Sequence, residues 1–147
     1  MLKKIFIICV QCFLVYGFAE PKINQYIKIE KPGKDDLVIV AFQYPTGCMK
    51  CAIQNNEIIS NLEKKFPNKV KVIALVLCDR EVELKAFIKK NNWKYPAYKV
   101  KYQELKDYGA NEKSMIKIYN SKSELLLDLF IDDNETNAKL KAFIELY

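Results

Sequence analysis

Two cysteines separated by two residues, Cys48 and Cys51, are the side chains of this sequence best suited to chemistry. They stand between a continuous apolar run over 37–42, typical of a buried strand, and a stretch over 52–66 with apolar residues at helical spacing. A helix N-terminus has unpaired N–H groups and the positive end of the helix dipole, which both favour a thiolate over a thiol. The pair is also short enough to close a disulfide. The pattern therefore predicts thiol redox chemistry at the start of a helix.

The sequence contains no histidine, and this absence narrows the chemistry further. It excludes cysteine–histidine nucleophilic sites, histidine-ligated zinc or copper, and imidazole general bases. The formal charge of +6 comes almost wholly from lysines that are dispersed along the chain. Aromatic residues do not interleave with basic runs, so we expect a solvated surface and no nucleic-acid partner. No phosphate loop, carboxylate pair or cofactor motif is present, and we expect no cofactor.

Residues 1–19 have the pattern of a cleaved signal peptide. Lys3 and Lys4 precede an apolar run over 5–18, and Gly17-Phe18-Ala19 supplies the small residues that a signal peptidase needs. An uncleaved anchor is the alternative, although the apolar run is short for a bilayer of about 30 Å. We expect an exported protein, periplasmic or secreted, with no membrane span in the mature chain.

Cleavage would leave three cysteines, because Cys9 and Cys12 lie in the segment that is removed. Cys48, Cys51 and Cys78 would remain, in an oxidising compartment, and one thiol is left over if the first two pair. Cys78 follows the second predicted strand, at the sheet edge where Cys48 is expected. It is either a half-buried small hydrophobic residue or a third redox thiol or metal ligand.

The order of the predicted elements indicates one α/β domain with a mixed sheet. Two apolar strands, 37–43 and 70–77, flank a helix over about 50–66 and are expected to be parallel. The later elements, in chain order, are a helix over 82–92, a short helix over 101–108 that ends at Gly109, a hairpin of strands over 115–119 and 124–131, and a C-terminal helix. We expect an N-terminal extension over 20–34, with room for an edge strand at 23–29, before the domain at 35–147.

This order, with a Cys-x-x-Cys after the first core strand, resembles the thioredoxin-like superfamily. Within it, the chain is most similar to the exported TlpA/ResA-type thiol–disulfide oxidoreductases and the related AhpC/TSA redoxins. The segments that carry the resemblance are Phe42-Gln43-Tyr44-Pro45-Thr46-Gly47-Cys48-Met49-Lys50-Cys51, Asn92-Trp93-Lys94-Tyr95-Pro96-Ala97-Tyr98 and Leu105-Lys106-Asp107-Tyr108-Gly109-Ala110. The resemblance covers roughly 35–147 and implies a thioredoxin-like fold, a central mixed β-sheet flanked by α-helices.

The resemblance also implies the roles of the two thiols. Cys48 would be the exposed nucleophile and Cys51 the buried resolving thiol, and the pair would form a Cys48–Cys51 disulfide. Their positions agree, because Cys48 lies at the helix start and Cys51 lies one turn in. Lys50 adds a cation, and such surroundings bring a cysteine pKa from about 8.5 to between about 3.5 and 7.5. The implied partners are protein thiols and disulfides.

The sequence departs from the family pattern near the pair. Gly47 stands where family members usually carry tryptophan. No proline precedes the third core strand, where the family docks substrate, so Ser114 or Met115 must occupy that position. The carboxylate that many thioredoxins bury beneath the cysteines is absent, since the strand offers Ala41. Glu57 in the following helix either substitutes for it or lies on the surface.

Three functions fit these observations. The first is an exported oxidoreductase that exchanges disulfides with protein thiols. The second is a redox-inactive binding module on the same scaffold, with a structural Cys48–Cys51 disulfide, and the missing docking proline motivates it. The third is the handling of a soft metal, Cu(I) or zinc, through Cys48, Cys51, Cys78 and in addition Met115. One cysteine pair without histidine leaves a closed zinc site short of ligands, so we expect no resident metal.

Overall fold

The computed structural model describes residues 23–45, 49–110, 114–131 and 135–147. The elements in chain order are α1 (Ile23–Ile29), β1 (Leu37–Gln43), α2 (Met49–Lys65), β2 (Val70–Leu77), α3 (Glu81–Lys90), β3 (Ala97–Val100), α4 (Tyr102–Asp107), β4 (Met115–Tyr119), β5 (Leu125–Phe130) and α5 (Thr136–Leu146). No helix within these residues is both long enough and apolar enough to cross a membrane. The predicted signal peptide lies outside them.

The five strands form one mixed sheet in the order β3-β2-β1-β4-β5. β1, β2 and β3 are parallel neighbours, whereas β4 pairs antiparallel with both β1 and β5. β1 is central and buried along its whole length. Its uninterrupted apolar sequence is what a strand covered on both faces requires. The predicted α/β class, with a mixed sheet between helices, is confirmed.

Helices cover both faces of the sheet, and each face has its own hydrophobic core. Ile39 and Ala41 of β1 belong to the first core, which receives side chains from α2, α3 and α5. Val40 and Phe42, the intervening residues, belong to the second core, which is covered by α1 and α4. This alternation follows from the period of two along a strand. Each large apolar side chain that is buried in this way contributes about 1.5–3 kcal/mol.

α2 buries one stripe of its surface against the first core. Ile58 and Leu62 are buried one helical turn apart, as an amphipathic helix requires. Lys64 and Lys65 occupy the last turn, where the negative end of the helix dipole favours cations. Pro67 follows two residues beyond the helix and supplies no backbone donor to continue it. The sequence therefore sets both the buried face of α2 and its end.

Trp93 closes the first core between α3 and β3. Its indole is 7% exposed. The ring centroids of Phe87 and Tyr95 lie 6.0 and 5.2 Å from it, in tilted and edge-on arrangements. Aromatic pairs with such geometry contribute about 0.5–1.5 kcal/mol beyond the area they bury. This aromatic cluster fixes the chain between α3 and β3.

Residues Ile23–Ile29 form the helix α1, not the edge strand that the sequence left room for. Ile23 and Ile27 are both buried, and they are one helical turn apart. Ile29 would share a strand face with Ile27, yet it is 55% exposed. The alternation at Ile27-Lys28-Ile29 suggested a strand, but the spacing of four between the buried isoleucines determines the element.

β3 is a strand that the sequence analysis did not predict. Its four residues include the exposed Lys99 and carry no apolar run. The strand exists because β2 pairs with it, Leu75 lying opposite Tyr98 in a parallel register. Pairing in the folded protein thus decides this segment, since its local propensity is weak.

Gly109 ends α4, as predicted, with a φ of +73°. The N–H of Gly109 donates to the carbonyl of Lys106 at 2.9 Å, and that of Ala110 donates to the carbonyl of Leu105 at 2.9 Å. These two bonds form a Schellman motif, which needs a left-handed residue at the glycine position. The motif fixes the direction in which the chain leaves α4 towards β4.

Candidate functional site

The strand ends on either side of the predicted cysteine site meet at one edge of the sheet. Gln43 at the end of β1 pairs with Val76 near the end of β2. β4 runs in the opposite direction and begins at the same edge, with Met115 opposite Phe42. Ser114, the residue before β4, therefore lies at this edge too. Active sites gather at the carboxyl ends of parallel strands, so this edge is the candidate site.

Cys51 lies in the first turn of α2, which begins at Met49. Its side chain is 8% exposed and belongs to the first core. The same turn contains no acidic residue, and Lys50 beside it is exposed. Nothing in this turn therefore opposes the positive end of the helix dipole. The buried position is the one predicted for a resolving thiol.

The other half of the predicted pair lies outside the described residues. Cys48 and Gly47 both belong to the segment 46–48, which is not among the residues that the structure describes. Their predicted roles, Cys48 as the nucleophile and Gly47 as the replacement for tryptophan, stay predictions. So does the Cys48–Cys51 disulfide.

Cys78 follows β2 directly and carries a free thiol that is 7% exposed. Burial is the main cause that raises the pKa of this thiol, and the carboxylates of Glu83, Glu81 and Asp79 raise it further. The Lys99 ammonium acts in the opposite direction. These surroundings favour the protonated thiol, which is neither a nucleophile nor a good metal ligand.

Two clefts flank the end of β1. One has a volume of about 410 Å³ and includes Cys78, Asp79 and Tyr102 in its wall. The other, of about 240 Å³, lies towards α2 and α3 and includes Ser114 and the exposed Ile53. The two clefts share Tyr44 and Pro45. The segment that leads towards the predicted nucleophile thus forms the wall between them.

Tyr44 holds that wall in place. Its hydroxyl donates a hydrogen bond of 2.7 Å to the carbonyl of Ala110, 66 residues further along the chain. Ala110 is itself fixed by the Schellman motif that ends α4. The end of β1 is therefore tied to the residue that follows α4, and the side chain that makes this bond lines both clefts.

Met115 lies on the opposite face of the sheet from Cys51 and Cys78. It is 1% exposed and belongs to the second core, whereas Cys51 and Cys78 belong to the first. The structure therefore does not bring the Met115 thioether together with these two thiols. Among the described residues, no group of three or more cysteines, aspartates or glutamates could hold a metal ion.

Ser114 is half-buried at the sheet edge, where the family pattern has its docking proline. Its carbonyl accepts a hydrogen bond of 3.1 Å from the N–H of Ile131, beyond the end of β5. Ser114 lines the 240 Å³ cleft together with residues of α2. Of the two candidates for the docking position, Ser114 lies in a cleft, whereas Met115 is enclosed in a core.

The helix α2 contains a polar residue that the sequence analysis missed. Asn55 is 0% exposed, and it stands four residues after Cys51. Glu57, the candidate substitute for a buried carboxylate, is exposed, and Ala41 in β1 is fully buried. A signal for Asn55 was available, because an amide interrupts the apolar stripe of α2 at a core position.

Comparison with known proteins gives matches among solved structures only. No protein-family model matches the chain, and no curated protein matches it. StoA from Bacillus subtilis is 20% identical with a TM-score of 0.54, and the match covers 77% of this chain and 85% of that one. A thiol-disulfide oxidoreductase from Bacteroides fragilis is 15% identical with a TM-score of 0.57, over 78% of this chain and 83% of that one.

A third match is a secreted Mycobacterium tuberculosis disulfide oxidoreductase homologous to Escherichia coli DsbE. It is 10% identical with a TM-score of 0.54, and the match covers 78% of this chain and 84% of that one. At identities this low, the likeness establishes the fold. The chain has a thioredoxin-like fold, as the sequence resemblance predicted, and its fold neighbours include thiol–disulfide oxidoreductases.

Proposed function

We propose that this thioredoxin-fold protein is an exported thiol–disulfide oxidoreductase, with Cys48 as its nucleophile and Cys51 as its resolving thiol. The observation that carries the proposal is the burial of Cys51 in the first turn of α2, at the carboxyl edge of the sheet. A helix start without acidic residues favours a thiolate, and the exposed Lys50 strengthens that preference.

The proposed reaction proceeds in two exchanges. The Cys48 thiolate attacks one sulfur of a partner disulfide, a mixed disulfide forms, and the other partner sulfur leaves as a thiolate. Cys51 then loses its proton and attacks the Cys48 sulfur. This forms the Cys48–Cys51 disulfide and releases the second partner sulfur, which takes up a proton. The protein is oxidised by two electrons and the partner is reduced, and the reverse sequence oxidises a partner dithiol.

The proposed partners are thiols and disulfides of other proteins. The 240 Å³ cleft beside the site offers them the exposed Ile53 on α2 and Ser114 at the start of β4. Ser114 keeps a backbone N–H that proline would lack. Because the usual docking proline is missing, we expect contacts along this cleft to differ from those of the family.

Export is the second part of the proposal. The basic start, the apolar run and the small residues before Glu20 support a cleaved signal peptide over 1–19. Disulfide exchange also suits a compartment where disulfides persist. One fold neighbour, the Mycobacterium tuberculosis protein, is itself secreted.

A redox titration tests the proposal. The exported protein is equilibrated with graded glutathione buffers, its free thiols are trapped, and the trapped groups are counted by mass, which also gives the N-terminal residue. We expect Glu20 at the N-terminus and a two-electron couple between about −120 and −270 mV, the range of working oxidoreductases. The Cys51→Ser variant is the control, and it should lack this couple.

Two results would contradict the proposal. A couple below about −300 mV would identify a structural disulfide, and the binding-module interpretation, motivated by the missing proline, would then replace ours. A start at Met1 would contradict cleavage. Metal handling has less support, because Met115 packs on the other face of the sheet and the acids around Cys78 favour its protonated form.

A further inference from the structure

Asn55 in the middle of α2 is a buried amide that has no partner among the residues the structure describes. Its side chain is 0% exposed. In the part of the chain that the structure describes, neither Oδ1 nor Nδ2 has a hydrogen-bond partner. Buried polar side chains are hydrogen-bonded in the large majority of cases, to protein or to ordered water. An amide that is buried and unpartnered on both atoms therefore indicates a further group at this position.

Asn55 lies on the same face of α2 as Cys51. The two residues are four apart in one helix, and such residues have Cβ atoms roughly 5–6 Å apart. Both are buried, as are Ile58 and Ile59 further along the stripe. The amide is thus one helical turn from the proposed resolving thiol, on the side that faces the sheet.

The sheet that α2 covers has small side chains at one pair of neighbouring positions in β1 and β2. Ala41 of β1 pairs with Ala74 of β2, and both belong to the core that contains Cys51. α2 packs against these same two strands. These two alanines are smaller than the branched residues along the rest of the strands. A buried polar group in this core can be satisfied by an internal water, which needs two to four polar partners.

The proposed reaction creates a need for such a group. Cys51 must become a thiolate before it can attack the mixed disulfide, and burial disfavours the charged form. β1 supplies no carboxylate here, since Ala41 occupies the buried strand position. An amide cannot take the proton, but its N–H groups can donate hydrogen bonds that stabilise the thiolate.

We propose that Asn55, through one internal water, is the positioning residue that stabilises the Cys51 thiolate during resolution. This inference rests on the proposed function. The Cys51 S–H bond breaks and its proton passes to the water and then to the departing partner thiolate. The Cys51 sulfur forms its bond to the Cys48 sulfur as the bond between Cys48 and the partner breaks.

Release of the thiol chromophore from a symmetric aromatic disulfide, followed by stopped flow, tests this step. The chain used begins at Glu20 and carries Cys78→Ser, so that only the proposed pair reacts. The first phase depends on the disulfide concentration and reports Cys48. The second phase is independent of that concentration and reports attack by Cys51. The other titratable groups of this turn and this core are Cys78, Lys50 and Tyr95. The background removes Cys78, and Lys50 and Tyr95 are the same in every variant.

We expect Asn55→Leu to slow the second phase roughly tenfold at neutral pH and to raise its pH midpoint by about one unit, since one pKa unit is a tenfold change in thiolate. The first phase should not change. Asn61→Leu, at an exposed position of the same helix, should leave both phases as they are. If Asn55→Leu does not fold, Asn55→Ser replaces it and should resolve faster than Asn55→Ala, because serine keeps a donor.

The outcomes separate this inference from the proposed function. A folded Asn55→Leu protein with an unchanged second phase and pH midpoint would overturn the inference alone, as would equal rates for the serine and alanine variants. A parent protein that releases no chromophore, or one equivalent and never a second, would overturn the oxidoreductase function, and the role of Asn55 with it.

Discussion

Two junctions between a strand and the following helix lie side by side at the same edge of the sheet, and a cysteine lies at each. β1 leads into α2, whose first turn contains Cys51, and β2 ends just before Cys78 and α3. The two thiols are almost equally buried, with 8% and 7% of their surfaces exposed. Their charged surroundings differ. The first turn of α2 has no acidic residue, whereas that of α3 has Glu81 and Glu83.

The acids of α3 stabilise that helix and suppress the neighbouring thiolate by the same means. The Glu83 carboxylate accepts hydrogen bonds from the N–H groups of Asp79 at 3.1 Å and Arg80 at 3.2 Å. It therefore occupies the positive end of the helix dipole. The first turn of α2, which contains Cys51, has no acidic residue at this end of its dipole. A helix start can thus favour a thiolate or accept its own capping carboxylate. The start of α3 does the second, and we propose that the start of α2 does the first.

Removal of the two thiols in turn should give the largest contrast. We expect Cys51→Ser to stop turnover with a dithiol reductant and a protein disulfide and to trap the mixed disulfide at Cys48, because no resolving thiol remains. Cys78→Ser should change turnover by less than about twofold, because its surroundings hold the thiol protonated. Turnover and the mass of the trapped adduct measure both effects. If Cys78→Ser were as inactive as Cys51→Ser, the two junctions would share one function.

A change of charge at the second junction should move the reactivity of Cys78 by a smaller amount. Glu83→Gln removes a carboxylate that raises the pKa of this thiol above its ordinary value, so more thiolate is present at a given pH. Alkylation of Cys78 should become roughly two- to fivefold faster at pH 8, and its pH midpoint should fall. Lys99→Gln removes a cation that lowers the pKa and should have the opposite effect. Rates measured on the Cys78 peptide by mass decide this, and equal rates in both variants would show that burial alone controls the thiol.

The smallest effect concerns the wall between the two clefts. Tyr44→Phe deletes the hydroxyl that donates to the Ala110 carbonyl at 2.7 Å. We expect the free energy of unfolding to fall by about 0.5–1.5 kcal/mol, the usual net contribution of one hydrogen bond. Urea unfolding measures it. Tyr147→Phe, on a side chain that is 54% exposed, is the matched control and should cost less. A greater loss for Tyr147→Phe would place the support of this wall elsewhere.

The central part of the fold could be predicted from sequence because its signals are local. β1 and β2 are covered on both faces, so their sequences consist mainly of apolar residues. The apolar residues of α2 recur with a clear helical period. α1 and β3 lacked such signals. The seven residues of α1 contain both a helical and an alternating pattern, and only packing on the second core decides between them. β3 depends on a partner 23 residues earlier, Ala74 opposite Ala97.

The site could be predicted in part for the same reason. The order of strands and helices alone placed Cys51 in a first helical turn and Cys78 at the end of β2. The acids that act on Cys78 are its neighbours in sequence, so their effect was also readable. Asn55 was predictable only in part, because the amide interrupts the apolar stripe of α2 but its complete burial depends on where the helix meets the sheet. The pairing of Ala41 with Ala74 in the sheet appears only once the register is known.

The indole between α3 and β3 makes the protein its own optical reporter. Trp93 is the only tryptophan among nine tyrosines, so excitation at the red edge of the absorption band selects it alone. Its ring is enclosed by Phe87 and Tyr95, and water reaches it when this corner of the first core opens. A red shift of its emission would therefore follow unfolding of the face that contains Cys51, without a label. Thiol chemistry and folding can thus be followed in one sample, each by its own signal.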